Sequence, residues 1–325
     1  MEDGELKTAT ESKIHPPSAI RHPRPVFLAG PTAVGKSEIA LRLAERIGGE
    51  IISVDSMQVY RGLDIGTAKP SPTERDRVPH HLIDIRDLNE SFDAAQFVRL
   101  AQEAVEKIQS RGKIPVFCGG TGLYVRAFLS GLGEAPAANP ELRAELDALP
   151  FEVLLRELRE RDPAAYEKID KQNPRRVIRA VEVIRLSGKK FSEQRAEWKS
   201  EAPRQKSGAI FCLTRRVEDL QARINARVEE MFARGLVEET RELLRRGLAE
   251  NKTAMQAIGY RQVAEHLRGG RSLAETIDLV KICTRQFAKR QLTWFRRHGN
   301  CRWMELGPAE TPGSCAEKIC GANQR

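Results

Sequence analysis

The residues best suited to chemistry form one continuous run, Gly30-Pro31-Thr32-Ala33-Val34-Gly35-Lys36-Ser37, inside the stretch FLAGPTAVGKSEIA (27–40). Two glycines with four residues between them, followed by Lys and Ser, make the pattern of a loop that cradles a diphosphate or triphosphate. Gly30 and Gly35 permit backbone angles that side chains forbid. Successive N–H groups can then point inward at phosphate oxygens, with a helix N-terminus behind them. Lys36 would contact the outer phosphates, and the Ser37 hydroxyl would meet Mg²⁺. An apolar run precedes the loop and an amphipathic run follows it, as a strand–loop–helix unit requires. The loop identifies the class of ligand and leaves open which bond breaks.

Four further places could complete a site. In ISVDSMQVY (52–60), Asp55 follows a strand-like run, and in an open α/β sheet that end faces the ligand crevice. A carboxylate there can bind Mg²⁺ through water, take a proton from a substrate, or cap a turn. Ser56, Gln58 and Tyr60 surround it with polar and aromatic groups. GGTGLYVRA (119–127) offers close backbone approach and an exposed Thr121, although a plain strand-to-helix turn has the same composition. In VEDLQARINARVEEMFARG (217–235), apolar positions 217, 220, 224, 228 and 231 form a stripe with Arg223 and Arg227 beside it, one turn apart. That spacing serves a phosphate contact or a solvated pair equally well. In QAIGYRQV (256–263), Tyr260 offers a stacking face and Arg261 a phosphate or base contact, or the segment is a helix-start turn. His80 and His81 diverge in an extended segment and read as strand-edge residues. Trp294 and Phe295 read as core.

These residues need a frame. Apolar runs at 25–29, 50–54, 81–85, 114–118 and 209–213 read as strands, with helical patterns between them, 36–47 and 93–111 among them. The fold class is therefore α/β: a parallel sheet flanked by helices. The alternation breaks after residue 118. The chain to about 209 carries helical patterns only, at 139–149, 151–169 and 173–188, between Pro- and Gly-rich borders. This predicts a core of 24–129 and 206–307, an all-helical insertion at 130–205, and flexible tails at 1–23 and 308–325. The last third reads as helices at 216–234, 236–246, 257–268 and 272–297, the final one opened by a Ser272/Glu275 capping box. CRWMEL (301–306) reads as an edge strand.

The 325 residues are 40% hydrophobic and carry a net charge of +9. No apolar run approaches the roughly 18 residues of a membrane span, and the N-terminus has no apolar block of signal-peptide type. The six cysteines form no CxxC pair and read as reduced thiols of a cytoplasmic protein. The positive charge is concentrated. Residues 281–303 hold seven Lys or Arg and no acid, and 175–190 hold six against Glu182 alone. Such stripes suit a polyphosphate partner, with nucleic acid foremost, or a solvated basic face. The chain has no apolar run ending in Asp-Asp or Asp-Glu, and no guanine-reading Asn-Lys-x-Asp, which makes a phosphotransferase less comfortable than the loop first suggests.

Taken together and in order, AGPTAVGKS, IISVDSMQVYRGLDIGTAKP, HHLIDI, PVFCGGTGLY, AIGYRQ and CTRQFAKRQLTWFR resemble the tRNA dimethylallyltransferases, from about residue 26 to 305. The resemblance implies an enzyme that moves a prenyl group from dimethylallyl diphosphate to tRNA. The acceptor is the exocyclic amine of the adenosine just 3′ of the anticodon, in tRNAs reading codons that begin with U. It implies a phosphate-loop core, Mg²⁺, and a helical insertion that grips the anticodon stem-loop. Residues 30–37 then bind the diphosphate, with Lys36 and Ser37 in the roles above. Asp55 accepts the amine proton, and Arg227 matches the family's diphosphate-side arginine. Asp55, Ser56, Met57 and Gln58 fall where the family touches tRNA. So do Arg175, Arg176, Val177, Ile178 and Arg179, and Gln256, Ala257, Ile258, Gly259, Tyr260 and Arg261. Thr121 and Arg143 match single tRNA contacts. The zinc finger of eukaryotic members is missing, which suggests the compact bacterial form, taken as a monomer. A free-adenylate prenyltransferase, a metabolite kinase and a nucleotide-regulated RNA binder share the loop. The basic insertion argues against the first two, and Asp55 beside the loop argues against the third.

Overall fold

The computed structural model describes residues 24–133, 135–197, 209–298, 301–307 and 309–323. The tail expected at 1–23 and the exit from the insertion at 198–208 lie outside the described residues. Strands β1 (Val26–Ala29), β2 (Gly49–Val54), β3 (His80–His81), β4 (Ile114–Gly119), β5 (Ile210–Thr214) and β6 (Arg302–Glu305) form one sheet in the order β3-β2-β4-β1-β5-β6. Their pairings are parallel. Side chains alternate between two buried layers, as a sheet covered on both faces demands. Phe27, Ala29, Ile52, Val54, Phe117 and Cys212 enter one apolar cluster. Val26, Leu28, Ile51, Val116, Phe211 and Leu213 enter the other.

Helices α1 (Lys36–Ile47), α2 (Pro72–Arg77), α3 (Ala94–Ser110) and α4 (Gly122–Ser130) connect the first strands. Capping follows the sequence signals. Asp93 accepts from the Gln96 N–H at 2.9 Å at the start of α3. Then come α5 (Pro140–Ala148), α6 (Phe151–Arg161), α7 (Pro163–Lys168), α8 (Pro174–Ser187) and α9 (Phe191–Glu197). Their apolar faces close around a cluster of their own that includes Leu146, Leu154, Leu158, Val177, Val181 and Ile184. After β5 the chain forms α10 (Val217–Ala233), α11 (Leu236–Arg245), α12 (Tyr260–Leu267), α13 (Leu273–His298) and α14 (Pro312–Asn323). The Ser272/Glu275 box closes the start of α13, with both reciprocal bonds present.

Two expectations need correction. The strand read at 81–85 is only the pair His80–His81, because Leu82 and Asp84 take positive φ of 63° and 54° and break the extended run. His80 Nδ1 meets the Val78 carbonyl and His81 Nε2 meets Glu50, each at 2.7 Å, so the two rings do diverge. The region read as a loose tail at 308–325 contains α14, which packs against α1 and buries Cys315, Ala316 and Ile319. Its apolar face is built of small residues and one isoleucine, which leaves little hydrophobic signal to read.

Ile319 has no exposed surface and joins the cluster formed by Ile39, Leu43 and Ala44. Ile319→Ala should therefore lower unfolding free energy by about 2–4 kcal/mol, measured by urea titration. A loss below ~0.5 kcal/mol would return this helix to the status of a loose tail.

Candidate active site

The register of the sheet sets the site. Ala29 pairs with Gly119 and Cys212, and Val54 pairs with Gly119, so β1, β2 and β4 end at one level and β5 runs two residues further. The phosphate loop, Asp55 and the Gly119-Gly120-Thr121 turn leave the first three ends. They border one cleft of about 850 Å³, in the place where open α/β sheets bind ligands, and Arg215 past β5 reaches the loop at Val34 O.

The loop curls as its glycines allow. Gly30 has φ 139° and Gly35 has φ 106°. A Cβ on Gly30 would lie 2.6 Å from the Leu213 carbonyl oxygen, so the close approach to β5 requires glycine there. Ala33 also has a positive φ of 62°, a strained angle for a residue with a Cβ. Three cations hold the loop's carbonyl groups. Lys36 Nζ donates to Gly30 O at 3.0 Å and Pro31 O at 2.7 Å. Arg223 Nε donates to Ala33 O at 3.0 Å, and Arg215 Nε to Val34 O at 2.9 Å. With these carbonyls taken, the loop's unengaged N–H groups are left for a phosphate. Gly35 starts α1 with no side-chain cap, so the first-turn N–H groups add to them. Two loop N–H groups are already engaged: Thr32 N–H donates to Gln291 Oε1 at 2.8 Å, and Val34 N–H to Pro31 O at 3.4 Å.

Asp55 enters from the end of β2. Its Oδ1 accepts from the Met57 N–H at 2.8 Å and the Gln58 N–H at 3.3 Å, which fixes the carboxyl group against its own turn. Gln58 ties the turn further: its Oε1 accepts from the Ser53 hydroxyl at 2.8 Å, and its Nε2 donates to Thr67 O at 3.1 Å. Arg227 lines the cleft from α10. Burial lowers its guanidinium below the usual range, against the pull of the Asp55 charge. Burial likewise brings Lys36 from 10.5 down to about 8, only partly offset by the attraction of nearby acidic groups. Cys118 lines the same cleft, but burial pushes its thiol up to about 11 despite Lys36, so it supplies no thiolate at neutral pH.

Most residues marked in the sequence meet here. Thr32, Ala33, Gly35, Lys36 and Ser37 border the cleft, with Asp55, Ser56, Met57 and Gln58 opposite. Thr121, Arg227, Gln256, Ala257 and Ile258 complete it. Gly30, Pro31 and Val34 are buried beneath the loop. Tyr260 requires correction as a stacking face. It is fully buried, donates its hydroxyl hydrogen to Glu239 Oε1 at 2.6 Å and accepts from the Gly66 N–H at 3.0 Å. Gly259 is buried as the N-cap of α12, and Arg261 is exposed beyond it. The insertion residues stand apart from the cleft. Arg175 and Arg176 are exposed, and an Arg175 Nη donates to Lys252 O, bridging the insertion to the core. Val177 is fully buried, so its side chain is turned into the insertion core, and the partly exposed Ile178 packs against that core. Arg143 and Arg179 both bond the buried Glu182, at 3.0 and 2.6 Å. Burial alone would raise that carboxyl, but the two guanidinium groups hold it below the usual range. Arg215 and Gln291 were missed. Arg215 could have been found from its place just past a strand end; Gln291 left no signal, since it sits mid-helix among basic residues.

A divalent ion fits this set in one way. The Ser37 hydroxyl on the first turn of α1 is a hard oxygen donor at the cleft wall. Among the described residues no group of three His, Cys, Asp or Glu could hold a metal. Such a sparse set suits Mg²⁺, which keeps several waters and binds largely through substrate phosphates.

Comparison with known proteins gives a consistent picture. The family model described as IPP transferase matches residues 58–298. The chain is 46% identical over 293 residues to tRNA dimethylallyltransferase 1 of Citrifermentans bemidjiense, covering 90% of this chain and 93% of that one. It is 47% identical over 290 residues to tRNA dimethylallyltransferase of Geobacter metallireducens, covering 87% and 92%. Among solved structures, the tRNA isopentenylpyrophosphate transferase of Bacillus halodurans superposes with TM-score 0.67 at 40% identity, covering 93% of this chain and 97% of that one. A eukaryotic dimethylallyltransferase, described acting on tRNA, superposes with TM-score 0.76 at 28% identity, covering 92% and 77%.

The buried lysine has a measurable signature. Its folded value lies below the unfolded one, so between about 8 and 10.5 the folded chain binds fewer protons than the unfolded chain. The cost of burying the ammonium is largest below pH 8 and is relieved as pH rises toward 10.5. Measured against Lys36→Met in a series of thermal melts, the unsubstituted protein should gain stability as pH rises from about 8 to about 10.5. A difference independent of pH would contradict a buried charge at this position.

Proposed function

This chain belongs to the IPP transferase family of tRNA dimethylallyltransferases, and we propose from that premise how its cleft carries out the transfer. The protein is a prenyltransferase that modifies tRNA. The donor is dimethylallyl diphosphate, and the acceptor is the exocyclic amine of the adenosine just 3′ of the anticodon, in tRNAs reading codons that begin with U. One observation carries this reading: a phosphate-holding loop, a half-buried arginine and a carboxyl group suited to act as a base line one cleft. A phosphate loop alone would serve a kinase; the opposed Asp55 gives the incoming amine a proton acceptor.

The bond that breaks joins carbon to oxygen. As it lengthens, negative charge grows on the departing diphosphate, and the loop N–H groups, Lys36 and Arg227 stabilise it there. The loop and Lys36 are set beforehand by the bonds described above, and Arg227 lines the cleft from α10. The depressed Lys36 regains its proton in full when a diphosphate lies beside it. Mg²⁺ bound through Ser37 and the diphosphate oxygens would neutralise part of that charge. An adenine amine is a weak nucleophile, its lone pair delocalised into the ring. It attacks the allylic carbon as cationic character develops, and the Asp55 carboxylate orients it and takes its proton. The base has to leave its stack to reach the cleft, at a cost of a few kcal/mol, less in a loop than in a duplex.

The insertion supplies register. Arg175 and Arg176, exposed at the start of α8, are suited to phosphate contacts along an RNA backbone, which fix position without reading sequence. We take the protein to act in the cytoplasm as a monomer, with its six cysteines as reduced thiols.

Incubating the protein with Mg²⁺, dimethylallyl diphosphate and unmodified tRNA, then digesting the RNA, should yield prenylated adenosine by mass. Steady ATP hydrolysis without that product would overturn the reading. Asp55→Asn keeps an oxygen for the turn but loses the base, so kcat should fall about 10²–10⁴-fold while tRNA affinity stays within a few-fold. A collapse of tRNA binding instead would assign Asp55 to recognition. Arg176→Glu should weaken tRNA binding and reduce the slope of log K against log salt by about 1 or more; an unchanged slope would put this residue off the RNA.

A further inference from the structure

We infer that Gln291 is a positioning residue for the transfer, fixing the phosphate loop and the nucleophile-side wall of the cleft at one separation. The inference rests on the reading that the diphosphate lies in the loop and the amine arrives past Asp55 and Thr121. Gln291 lies on α13, is only 7% exposed, and spans the two halves with its single amide. Its Oε1 accepts from the Thr32 N–H of the loop at 2.8 Å. Its Nε2 donates to Gly120 O, in the turn before Thr121, at 3.1 Å. Loop and turn leave the paired strands β1 and β4 just past Ala29 and Gly119, and Gln291 joins them beyond the last ladder pair.

The surroundings are shaped for this bridge. A Cβ on Gly120 would lie 2.0 Å from Gln291 Nε2 and 3.2 Å from Gly30 O, so the turn has glycine where the amide and the loop close on it. One turn further along α13, Trp294 covers Gly122, where a Cβ would lie 2.1 Å from the indole. The helix itself is anchored to the arginine side of the site. Lys281 pairs with Glu229 at 2.8 Å and Arg285 donates to Asn225 Oδ1 at 2.7 Å, both on α10, which carries Arg223 and Arg227. Gln291 therefore references the loop, the turn and the leaving-group arginine to one rigid helix. It also withdraws the Thr32 N–H from phosphate binding, leaving that task to Ala33 and to Gly35–Ser37.

The consequence is kinetic. A diphosphate still finds its loop donors when the bridge is cut, so ground-state binding persists. The attacking amine and the allylic carbon lose their fixed spacing, and a displacement of about 1 Å can cost about 10²-fold in rate. Gln291→Met keeps nearly the same volume and removes both bonds. It should lower kcat for prenyl transfer roughly 10–100-fold, with KM for dimethylallyl diphosphate and tRNA, and Kd for inorganic diphosphate, within about threefold. Gln291→Glu keeps an acceptor for Thr32 and, once protonated, regains a donor for Gly120. Its activity relative to the unsubstituted enzyme should rise as pH falls from about 8.5 to about 5.5.

Unchanged kcat in a folded Gln291→Met would overturn the inference, as would a loss falling wholly on KM or on diphosphate affinity. If the Met variant does not fold, the Glu variant decides: a flat activity ratio across pH overturns the bridge, and a rise toward acid supports it. If the unsubstituted protein makes no prenylated adenosine, the functional reading falls and the inference with it; if it does and the variants match it, the inference alone falls.

Discussion

The structure depends on a loop of backbone whose carbonyl groups are pulled outward so that its N–H groups can face inward. Peptide groups carry a donor and an acceptor together, and a concave nest of donors forms only if the acceptors are satisfied elsewhere. Here Lys36, Arg215 and Arg223 take the carbonyls of Gly30, Pro31, Ala33 and Val34. The positive φ at Gly30, Ala33 and Gly35 is the backbone cost of that arrangement. The cations that satisfy the carbonyls also add positive charge around the nest, so one set of contacts shapes the site and makes it attractive to a diphosphate.

Everything else holds components at fixed places around that loop. The parallel register brings Ala29, Val54 and Gly119 to one level, so three strand ends deliver their next residues to one edge, with β5 running two residues past Cys212 beside them. Helices α10 and α13 close the opposite side, tied to each other by Lys281–Glu229 and Arg285–Asn225. The buried Glu239–Tyr260 pair holds the backbone of Ile65 and Gly66, which leads into the stretch bordering the cleft at Gly66–Ala68. Tyr260, read as a substrate contact, thus stiffens the wall of the cleft. Val177 fills the core of the insertion, apart from the cleft, with Arg176 exposed on its surface.

Charge placement separates the two regions. Around the cleft, Lys36 and Arg227 are held against burial, so their ammonium and guanidinium groups gain most when a diphosphate arrives. In the insertion, Glu182 is buried and paired with Arg143 and Arg179, so those two guanidinium groups are already compensated. Sequence position could not distinguish these cases. A basic stripe from 175 to 190 looks uniform along the chain, whereas the fold sorts it into internally paired and free members.

Much was legible from residue order alone. The phosphate loop, the strands at 26–29, 49–54, 114–119 and 210–214 and the long helices follow local rules: glycine at strained angles, short continuous apolar runs for strands buried on both faces, and caps at Asp93 and Ser272. Such rules act between neighbours in the chain, so the chain displays them. Tertiary structure alone decided that Gln291 reaches Thr32 across 259 positions, that Arg215 grips the loop, that Tyr260 turns inward, and that the small-residue helix at 312–323 is part of the core. These depend on which surfaces meet after folding. A polar side chain or a short run of small residues carries no periodic signal of the partner it will find.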